Sequence, residues 1–302
     1  MSKQQMKLYD LAVAYRIYPQ VSKPARSLPF GDDKLRQAEI CLRSFRNSLG
    51  SLRAKIWAIL DGCPAEYRSL FERYFSSNDL NIVEVDAVGN QATYARQLDI
   101  LLSQSDADVV YVAEDDYLYL PEQFSLMLEF LLGQRGVEFV TPYDHPDCYR
   151  LDSQYELNRL AVFGGRHWRT AASTCLTFLT RKSTLATYEH ALRTYSSGNS
   201  DCAMWLSVTK KRVFSPLALL SFLFGRESYW KEILKAWFFG WRQIVFGRSA
   251  GLWVPLPGLA THLAGGFFSP CIDFLGLMQG EIAEFERTGG TSILRESLNS
   301  PG

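Results

Sequence analysis

"VVYVAEDDYLYLP", residues 109–121, joins a short apolar run to three consecutive acids and then returns to aromatic and aliphatic residues. The three acids are Glu114, Asp115 and Asp116. Adjacent carboxylates repel one another and cannot be buried bare, so they require solvent, hydrogen-bond donors or a cation. One of the two aspartates could cap a helix that follows Pro121, but three acids are more than a cap requires. We therefore interpret the stretch as the end of a strand that carries a metal or substrate site.

Around this stretch, strand patterns alternate with helix patterns. Predicted strands cover residues 10–18, 54–62, 80–86 and 107–116, and predicted helices cover residues 33–49, 64–77 and 91–105. Parallel strands need helical crossovers, so the alternation predicts an α/β fold with a mostly parallel sheet flanked by helices. In open sheets of this kind, ligands bind among the loops at the carboxyl ends of the strands. The acid triplet and Asp61 lie at such ends, so we expect the chemistry at that edge.

The composition is that of a folded protein without a bias toward nucleic acid. The 302 residues suit one large α/β domain with a C-terminal extension, or two closely packed lobes. Lys and Arg together number 32, and so do Asp and Glu, so no overall charge favours nucleic acid as a partner. The six cysteines form no CxxC pair, which argues against a zinc site and favours a reduced cytoplasm.

Neither a signal peptide nor a membrane span is predicted. Arg16 interrupts the first apolar run, and no later stretch approaches the roughly 20 uncharged apolar residues of a spanning helix. We expect a cytoplasmic protein that is soluble or peripheral at the inner face of the cell membrane.

Four stretches together resemble the nucleotide-diphosphosugar glycosyltransferases of the GT-A fold, close to the family 2 type. They are the first strand, AILDGCP (residues 58–64), AVGNQATYARQLDIL (residues 87–101) and DADVVYVAEDDYLYLPEQF (residues 106–124). The resemblance covers about residues 8–124. It implies a Rossmann-like GT-A core, a nucleotide diphosphate sugar as donor substrate, and an acid motif of the DxD kind that holds Mn2+ or Mg2+.

The resemblance implies roles for five residues of these stretches. Asp61 matches an acid that contacts the nucleotide base or ribose, although Asp-Gly is also a turn-forming pair. Arg96 matches an arginine near the donor, and a solvated helix arginine is the alternative. Glu114 stands where the family has its first Asp, so Glu114 and Asp115 are expected at the ribose or the metal. Asp116 matches the usual metal ligand.

Two residues from the second half of the chain complete the predicted site. Asp201 follows a Gly-Asn-Ser run and precedes an apolar helical segment, so it is a helix N-cap, the general base that inverting relatives carry there, or both. His262 lies in a Gly-rich loop. It is either a buried, hydrogen-bonded histidine or a second metal ligand of the kind that some GT-A enzymes supply from their C-terminal region.

We divide the chain into two predicted parts. Residues 1–215 form the nucleotide-sugar-binding and catalytic core, and residues 216–302 form a helical, aromatic-rich extension that completes the site with His262. Within the extension, residues 219–258 interleave tryptophan and phenylalanine with lysine and arginine. Such a mixture suits a helix at a membrane interface, an amphipathic helix that covers the sheet, or a loop over the donor.

The predicted function is metal-dependent transfer of a sugar from a nucleotide diphosphate to an acceptor hydroxyl. The expected acceptor is a glycan or a lipid-linked precursor in bacterial surface polysaccharide or glycolipid synthesis, and inversion follows from the resemblance alone. Two alternatives stay open. One is a nucleotidyltransferase of related α/β architecture, which usually has a Gly-rich loop after its first strand. The other is a non-catalytic sugar-binding or lipid-binding protein with a degenerate site.

Overall fold

The computed structural model describes residues 7–20, 28–29, 33–150, 158–216, 229–264 and 266–287. In these ranges the chain forms a central β-sheet covered by helices on both faces. Among the helices described, none is both long and apolar enough to cross a membrane.

Within the described residues, nine strands form one sheet and two more form a small second sheet. The strands are β1 (Leu11–Ile17), β2 (Ala54–Asp61), β3 (Leu80–Val85), β4 (Val109–Ala113), β5 (Tyr117–Tyr119), β6 (Phe139–Val140), β7 (Leu160–Phe163), β8 (Arg166–Thr170), β9 (Phe178–Arg181), β10 (Leu252–Leu256) and β11 (Ala260–His262). The order in the large sheet is β3-β2-β1-β4-β9-β6-β10-β8-β7, and β5 pairs with β11.

Seven of the nine strands of the large sheet run in one direction, and only β8 and β9 run the other way, so the sheet is mostly parallel. β1 pairs in parallel with β2 and β4, β2 with β3, and β6 with β10. β9 runs antiparallel between β4 and β6, and β8 runs antiparallel to both β10 and β7. All seven residues of β1 are buried, as expected for a central strand covered on both faces. The predicted class, an α/β fold with a mostly parallel sheet flanked by helices, is confirmed.

Helices cover both faces of this sheet in two layers. The helices are α1 (Lys34–Ser48), α2 (Ala65–Tyr74), α3 (Asn90–Ser103), α4 (Phe124–Gly133), α5 (Asp147–Arg150), α6 (Lys182–Leu192), α7 (Asp201–Thr209), α8 (Tyr229–Phe246) and α9 (Phe274–Arg287). Phe45 and Phe71 belong to the core between the sheet and α1, α2 and α4. Tyr94 and Trp205 belong to the core on the other face, under α3, α6 and α7. Outside these helices, α8 packs on α7 and α9 packs on α1.

The C-terminal part of the chain contributes directly to the sheets. β10, which belongs to the part predicted as an extension, lies between β6 and β8 in the large sheet. β11 pairs with β5 in a register that sets His262 opposite Tyr117. Because Tyr117 directly follows Asp116, this register brings the C-terminal histidine to the acid triplet.

Candidate functional site

The acid triplet occupies the turn between β4 and β5, at the carboxyl edge of the large sheet. The next helix, α4, starts only at Phe124, and its N-cap residue Gln123 makes no side-chain capping bond. Asp115 and Asp116 therefore do not cap that helix, which rules out the capping alternative. The flanking strands are fully buried, so the acids sit on a rigid support.

Glu114 pairs with a cation from the core of the sheet. Arg16, at the end of β1, donates from Nη2 to Glu114 Oε1 over 2.5 Å and from Nη1 to the Asn90 carbonyl over 2.8 Å. Thr177 donates its hydroxyl to the other Glu114 oxygen over 3.0 Å. Burial alone would lower the pKa of the Arg16 guanidinium, but the charge and hydrogen bond of Glu114 outweigh it and the pKa is raised. Arg16 therefore remains a cation beside Glu114.

Asp115 pairs with a second cation, from the first turn of α1. The Lys34 ammonium lies 3.0 Å from Asp115 Oδ2, and the same oxygen accepts the backbone N–H of Tyr18 over 3.1 Å. Both side chains of the pair are largely buried. Burial would lower the pKa of Lys34, but the charges of Asp115 and Asp116 raise it, so the lysine remains a cation.

Asp116 pairs with the histidine that β11 delivers. His262 Nε2 lies 2.9 Å from Asp116 Oδ2, and the Leu263 backbone N–H donates to the Asp116 carbonyl over 2.7 Å. Burial would lower the pKa of His262, but Asp116 raises it to about 9. Burial would likewise raise the pKa of Asp116, but His262 and other nearby cations lower it to about 2.

The three acids differ in what remains free for a ligand. Each carboxylate has its own cation, and the cations come from β1, α1 and β11. Asp116 Oδ1 is buried and has no hydrogen-bond partner among the residues that the structure describes. Because a buried polar atom without a partner costs free energy, this oxygen is the atom of the triplet best placed to bind a cation.

Asp201 is the first residue of α7 and lies at the same edge of the sheet. The N-cap is Ser200, whose hydroxyl accepts the Ala203 backbone N–H over 3.2 Å. The N-cap alternative for Asp201 is therefore wrong, and its carboxylate instead accepts the neighbouring Cys202 N–H over 2.7 Å. Burial raises the pKa of Asp201, and the charge of Glu114 raises it further.

Asp61 ends β2 at this edge, where it fixes the loop before α3. Its two carboxylate oxygens accept the backbone N–H groups of Val88 and Gly89 over 2.7 and 2.9 Å. The side chain is almost fully buried, at 2% exposure. The geometry therefore assigns the carboxylate to holding backbone.

Among the described residues, Arg96 makes no hydrogen bond or ion pair with the acid triplet. It lies on α3 with an exposed side chain. The neighbouring Gln97 faces the sheet instead, where its Nε2 donates to the carbonyls of Ala14 and Ala113 over 2.7 and 2.8 Å. Gln97 thus ties β1 to β4 at the base of the acid-bearing turn.

The sequence reasoning missed two cations of the site, Arg16 and Lys34, although both left a signal. Arg16 is the charged residue of the otherwise apolar strand LAVAYRI, and a charge in a strand buried on both faces needs a buried partner. Lys34 lies in the first turn of α1, where the helix dipole disfavours a cation. A lysine at that position indicates an acid nearby.

Comparisons with known proteins found distant likenesses among solved structures alone. No family model and no curated protein matches the chain. TarS of S. aureus in complex with UDP is 10% identical over 66% of this chain and 54% of that chain, with a TM-score of 0.39. The galactosyltransferase LgtC, in complex with donor and acceptor sugar analogues, is 10% identical over 95% of this chain and 98% of that chain, with a TM-score of 0.44.

A third solved structure is the mannosyltransferase PcManGT from Pyrobaculum calidifontis in complex with GDP-Man and Mn2+. It is 13% identical over 61% of this chain and 50% of that chain, with a TM-score of 0.37. The chain thus spans about half the length of the TarS and PcManGT chains. Likenesses with identities of 10% to 13% and TM-scores of 0.37 to 0.44 assign no family, so the functional argument depends on the geometry of this chain.

We expect the Arg16→Met variant to lose about 3–5 kcal/mol of unfolding free energy, because it leaves the largely buried Glu114 carboxylate without its cation. Arg68→Met is the matched control, since Arg68 pairs with Glu84 over 2.8 Å but is 44% exposed, against 7% for Arg16. That variant should lose about 1 kcal/mol or less. Urea denaturation monitored by circular dichroism measures the unfolding free energy of both variants. Equal losses in the two variants would contradict a buried ion pair at Glu114.

Proposed function

We propose that the chain is a metal-dependent glycosyltransferase that moves a hexose-type sugar from a nucleotide diphosphate donor to an acceptor hydroxyl. The observation that carries the proposal is Asp116, whose buried Oδ1 has no hydrogen-bond partner among the described residues and whose Oδ2 lies 2.9 Å from His262. Two ligand side chains and a free carboxylate oxygen at the carboxyl edge of a mostly parallel sheet are what a donor site of this class requires.

The residues at Asp116 fit a divalent cation. A carboxylate oxygen is a hard ligand of the kind that Mg2+ and Mn2+ prefer, and a neutral imidazole nitrogen also binds Mn2+. His262, a cation in the metal-free site, would therefore give up its Nε2 proton when the metal binds. No group of three or more metal-ligating side chains occurs in the described residues, so Asp116 and His262 leave coordination positions for donor phosphates and water. When bound, the cation neutralises the negative charge that grows on the departing diphosphate.

The charge balance at the edge also supports a cation. Among the described residues, three cations face the three acids there, so these pairs contribute no surplus positive charge to bind a diphosphate. A divalent cation that takes the place of the His262 proton raises the charge by one and supplies that surplus. The Arg16–Glu114 and Lys34–Asp115 pairs keep their acids from competing for the cation. Of the two roles expected for Glu114 and Asp115, we therefore propose the one at the ribose.

We propose Asp201 as the general base. An acceptor hydroxyl attacks the anomeric carbon, the bond from that carbon to the diphosphate oxygen breaks, and the hydroxyl proton passes to the Asp201 carboxylate. Burial and the charge of Glu114 favour protonation of Asp201, which suits a group that must accept a proton. Direct transfer of this kind inverts the anomeric configuration.

Asp61 and Arg96 complete the proposed donor site less directly. Asp61 accepts hydrogen bonds from the Val88 and Gly89 amides, which supports a role in positioning the loop against which we propose that the nucleoside binds. Arg96 lies on the exposed surface of α3, which supports at most a contact with an outer part of the donor.

The acceptor that we propose is a glycan or a lipid-linked sugar of bacterial surface polysaccharide or glycolipid synthesis. We propose that the chain works as a peripheral protein at the cytoplasmic face of the cell membrane, where it would reach a lipid-linked acceptor.

Donor binding is expected to need both the metal and Asp116. Isothermal titration calorimetry of UDP and GDP should detect binding of one nucleotide in the presence of Mn2+ and a loss of about a hundredfold or more in affinity without it. The Asp116→Asn variant should lose binding to a similar extent, because an amide oxygen is a weak, uncharged ligand.

The matched control is the Asp108→Asn variant, which should bind the nucleotide as the wild type does. Asp108 is exposed and directly precedes the N-terminal end of β4, whereas the acid triplet follows the C-terminal end. Binding that is indifferent to both Mn2+ and the Asp116 change would contradict the proposed donor site. Failure of both UDP and GDP to bind would contradict it as well.

The Asp201→Asn variant should retain donor affinity but lose turnover by about a hundredfold to ten-thousandfold, because the amide cannot accept the proton. Release of free nucleoside diphosphate from the donor sugar, with water as the acceptor, measures turnover without a known acceptor. The wild-type rate should fall as the pH drops through a pKa above that of an ordinary aspartate, since the base acts deprotonated. Glu66→Gln, an exposed acid in the first turn of α2, is the control. Unchanged turnover in Asp201→Asn would rule this base out.

A further inference from the structure

Helix α8 runs alongside α7 and buries one face against it. Ile233 and Ala236 of α8 belong to one apolar cluster with Leu206 of α7. The two helices approach closely at Gly240, where a Cβ atom would lie 2.5 Å from the Cβ of Ser207. This packing fixes which residues of α8 face away from the protein. Residues 219–228 of the segment predicted to meet a membrane lie outside the described residues.

The outward face of α8 carries a continuous apolar stripe. Spacings of four, three and four residues set its members on one side of the helix. We call this set the α8 stripe: Leu234 (49% exposed), Phe238 (77%), Trp241 (46%) and Val245 (50%). Single exposed apolar residues are ordinary, but a contiguous row with two aromatic rings marks a binding surface.

A row of cations borders the α8 stripe. Lys231, Lys235 and Arg242 are exposed on α8 beside the stripe, and Arg248 is exposed just beyond its end. Arg242 lies 5.5 Å from the ring centre of Trp241, so charge and ring are presented together. The same stretch carries one acid, Glu232, which pairs with Lys235 over 3.0 Å. The border of the stripe therefore carries a net positive charge from Lys231, Arg242 and Arg248.

We propose that the α8 stripe docks on the surface of an anionic lipid bilayer, with α8 lying in the plane of the interface. Leu234, Phe238, Trp241 and Val245 enter the boundary between headgroups and acyl chains, and the bordering cations contact anionic headgroups. An amphipathic helix with aromatic residues on one side and lysine and arginine beside them has the composition of such interfacial helices.

The cation row favours lipid over a second copy of the chain. In a symmetric dimer through this face, two identical helices would bring their lysines and arginines toward each other, and like charges at short distance destabilise an interface. An anionic bilayer instead neutralises the row along its whole length. About 27 Å of helix can contact the surface, at 1.5 Å of rise per residue for the 18 residues of α8.

The docked helix starts beside the candidate base. Glu232, in the first turn of α8, accepts a hydrogen bond from the hydroxyl of Ser200, which caps the helix that begins with Asp201. The first turn of the docked helix therefore lies near the residue proposed to take the proton of the acceptor. This consequence, delivery of a lipid-linked acceptor to Asp201, rests on the proposed function, whereas the docking itself is measurable without it.

Flotation of the purified full chain with lipid vesicles tests the docking. Vesicles of phosphatidylcholine mixed with an equal part of phosphatidylglycerol should carry the protein, vesicles of phosphatidylcholine alone should carry much less, and added salt should release it. Changing both Phe238 and Trp241 to Ser should reduce the bound fraction by about tenfold or more. Lys231→Gln and Arg242→Gln should each reduce it about fivefold.

The matched control changes Leu160 and Val162 to Ser, because both are 71% exposed on β7, at the far edge of the sheet. This variant should float as the wild type does. All changed residues are exposed, and thermal melting should confirm that each variant is folded.

Three results would overturn the proposal. The first is a wild-type chain that does not float with the anionic vesicles, and the second is a variant changed at Phe238 and Trp241 that floats as well as the wild type. The third is a wild-type dimer in sedimentation without lipid that the same changes dissociate. The last result would identify the stripe as a contact between two copies. Failure of nucleotide binding in calorimetry would defeat the glycosyltransferase proposal and leave the flotation result intact, so the two failures are distinguishable.

Discussion

Three carboxylates in sequence at the end of one strand are the constraint on which the rest of the site depends. The structure meets it with three cations from three distant parts of the chain, Arg16, Lys34 and His262. Each pairing joins an element to the acid-bearing turn: β1 to Glu114, α1 to Asp115 and β11 to Asp116. The charges therefore organise the carboxyl edge of the sheet, and within the part of the chain that the structure describes they leave one buried carboxylate oxygen of Asp116 without a partner.

Much of the first half of the fold could be predicted from the sequence. Alternating strand and helix patterns up to residue 116 were sufficient to predict the parallel sheet, because each element shows its own periodicity. Because the acid triplet directly follows a predicted strand, its position at the carboxyl edge of the sheet could also be predicted. That Arg16 needs a buried acidic partner could be predicted, because it is a charge inside a buried strand. Which acid that partner is could not, because Glu114 lies 98 residues further on.

The second half required the structure, because its contacts join residues that are far apart in sequence. Nothing in the local pattern of residues 252–256 indicates a strand between β6 and β8, and no pattern sets the register that brings His262 opposite Tyr117. The basic and aromatic composition around α8 was visible in the sequence. Which rings are buried and which face outward depends on the packing of α8 on α7.

We propose that Asp116 and His262 together bind a divalent cation while the other two acids stay paired with Arg16 and Lys34. Crystals grown with Mn2+ and the preferred nucleoside diphosphate test it directly, since manganese gives anomalous scattering that locates the ion. We expect one manganese peak at bonding distance from Asp116 Oδ1 and His262 Nε2, with the Arg16–Glu114 and Lys34–Asp115 pairs intact. A bound nucleotide with no manganese at Asp116, or manganese on Glu114 or Asp115 with their cations displaced, would contradict it.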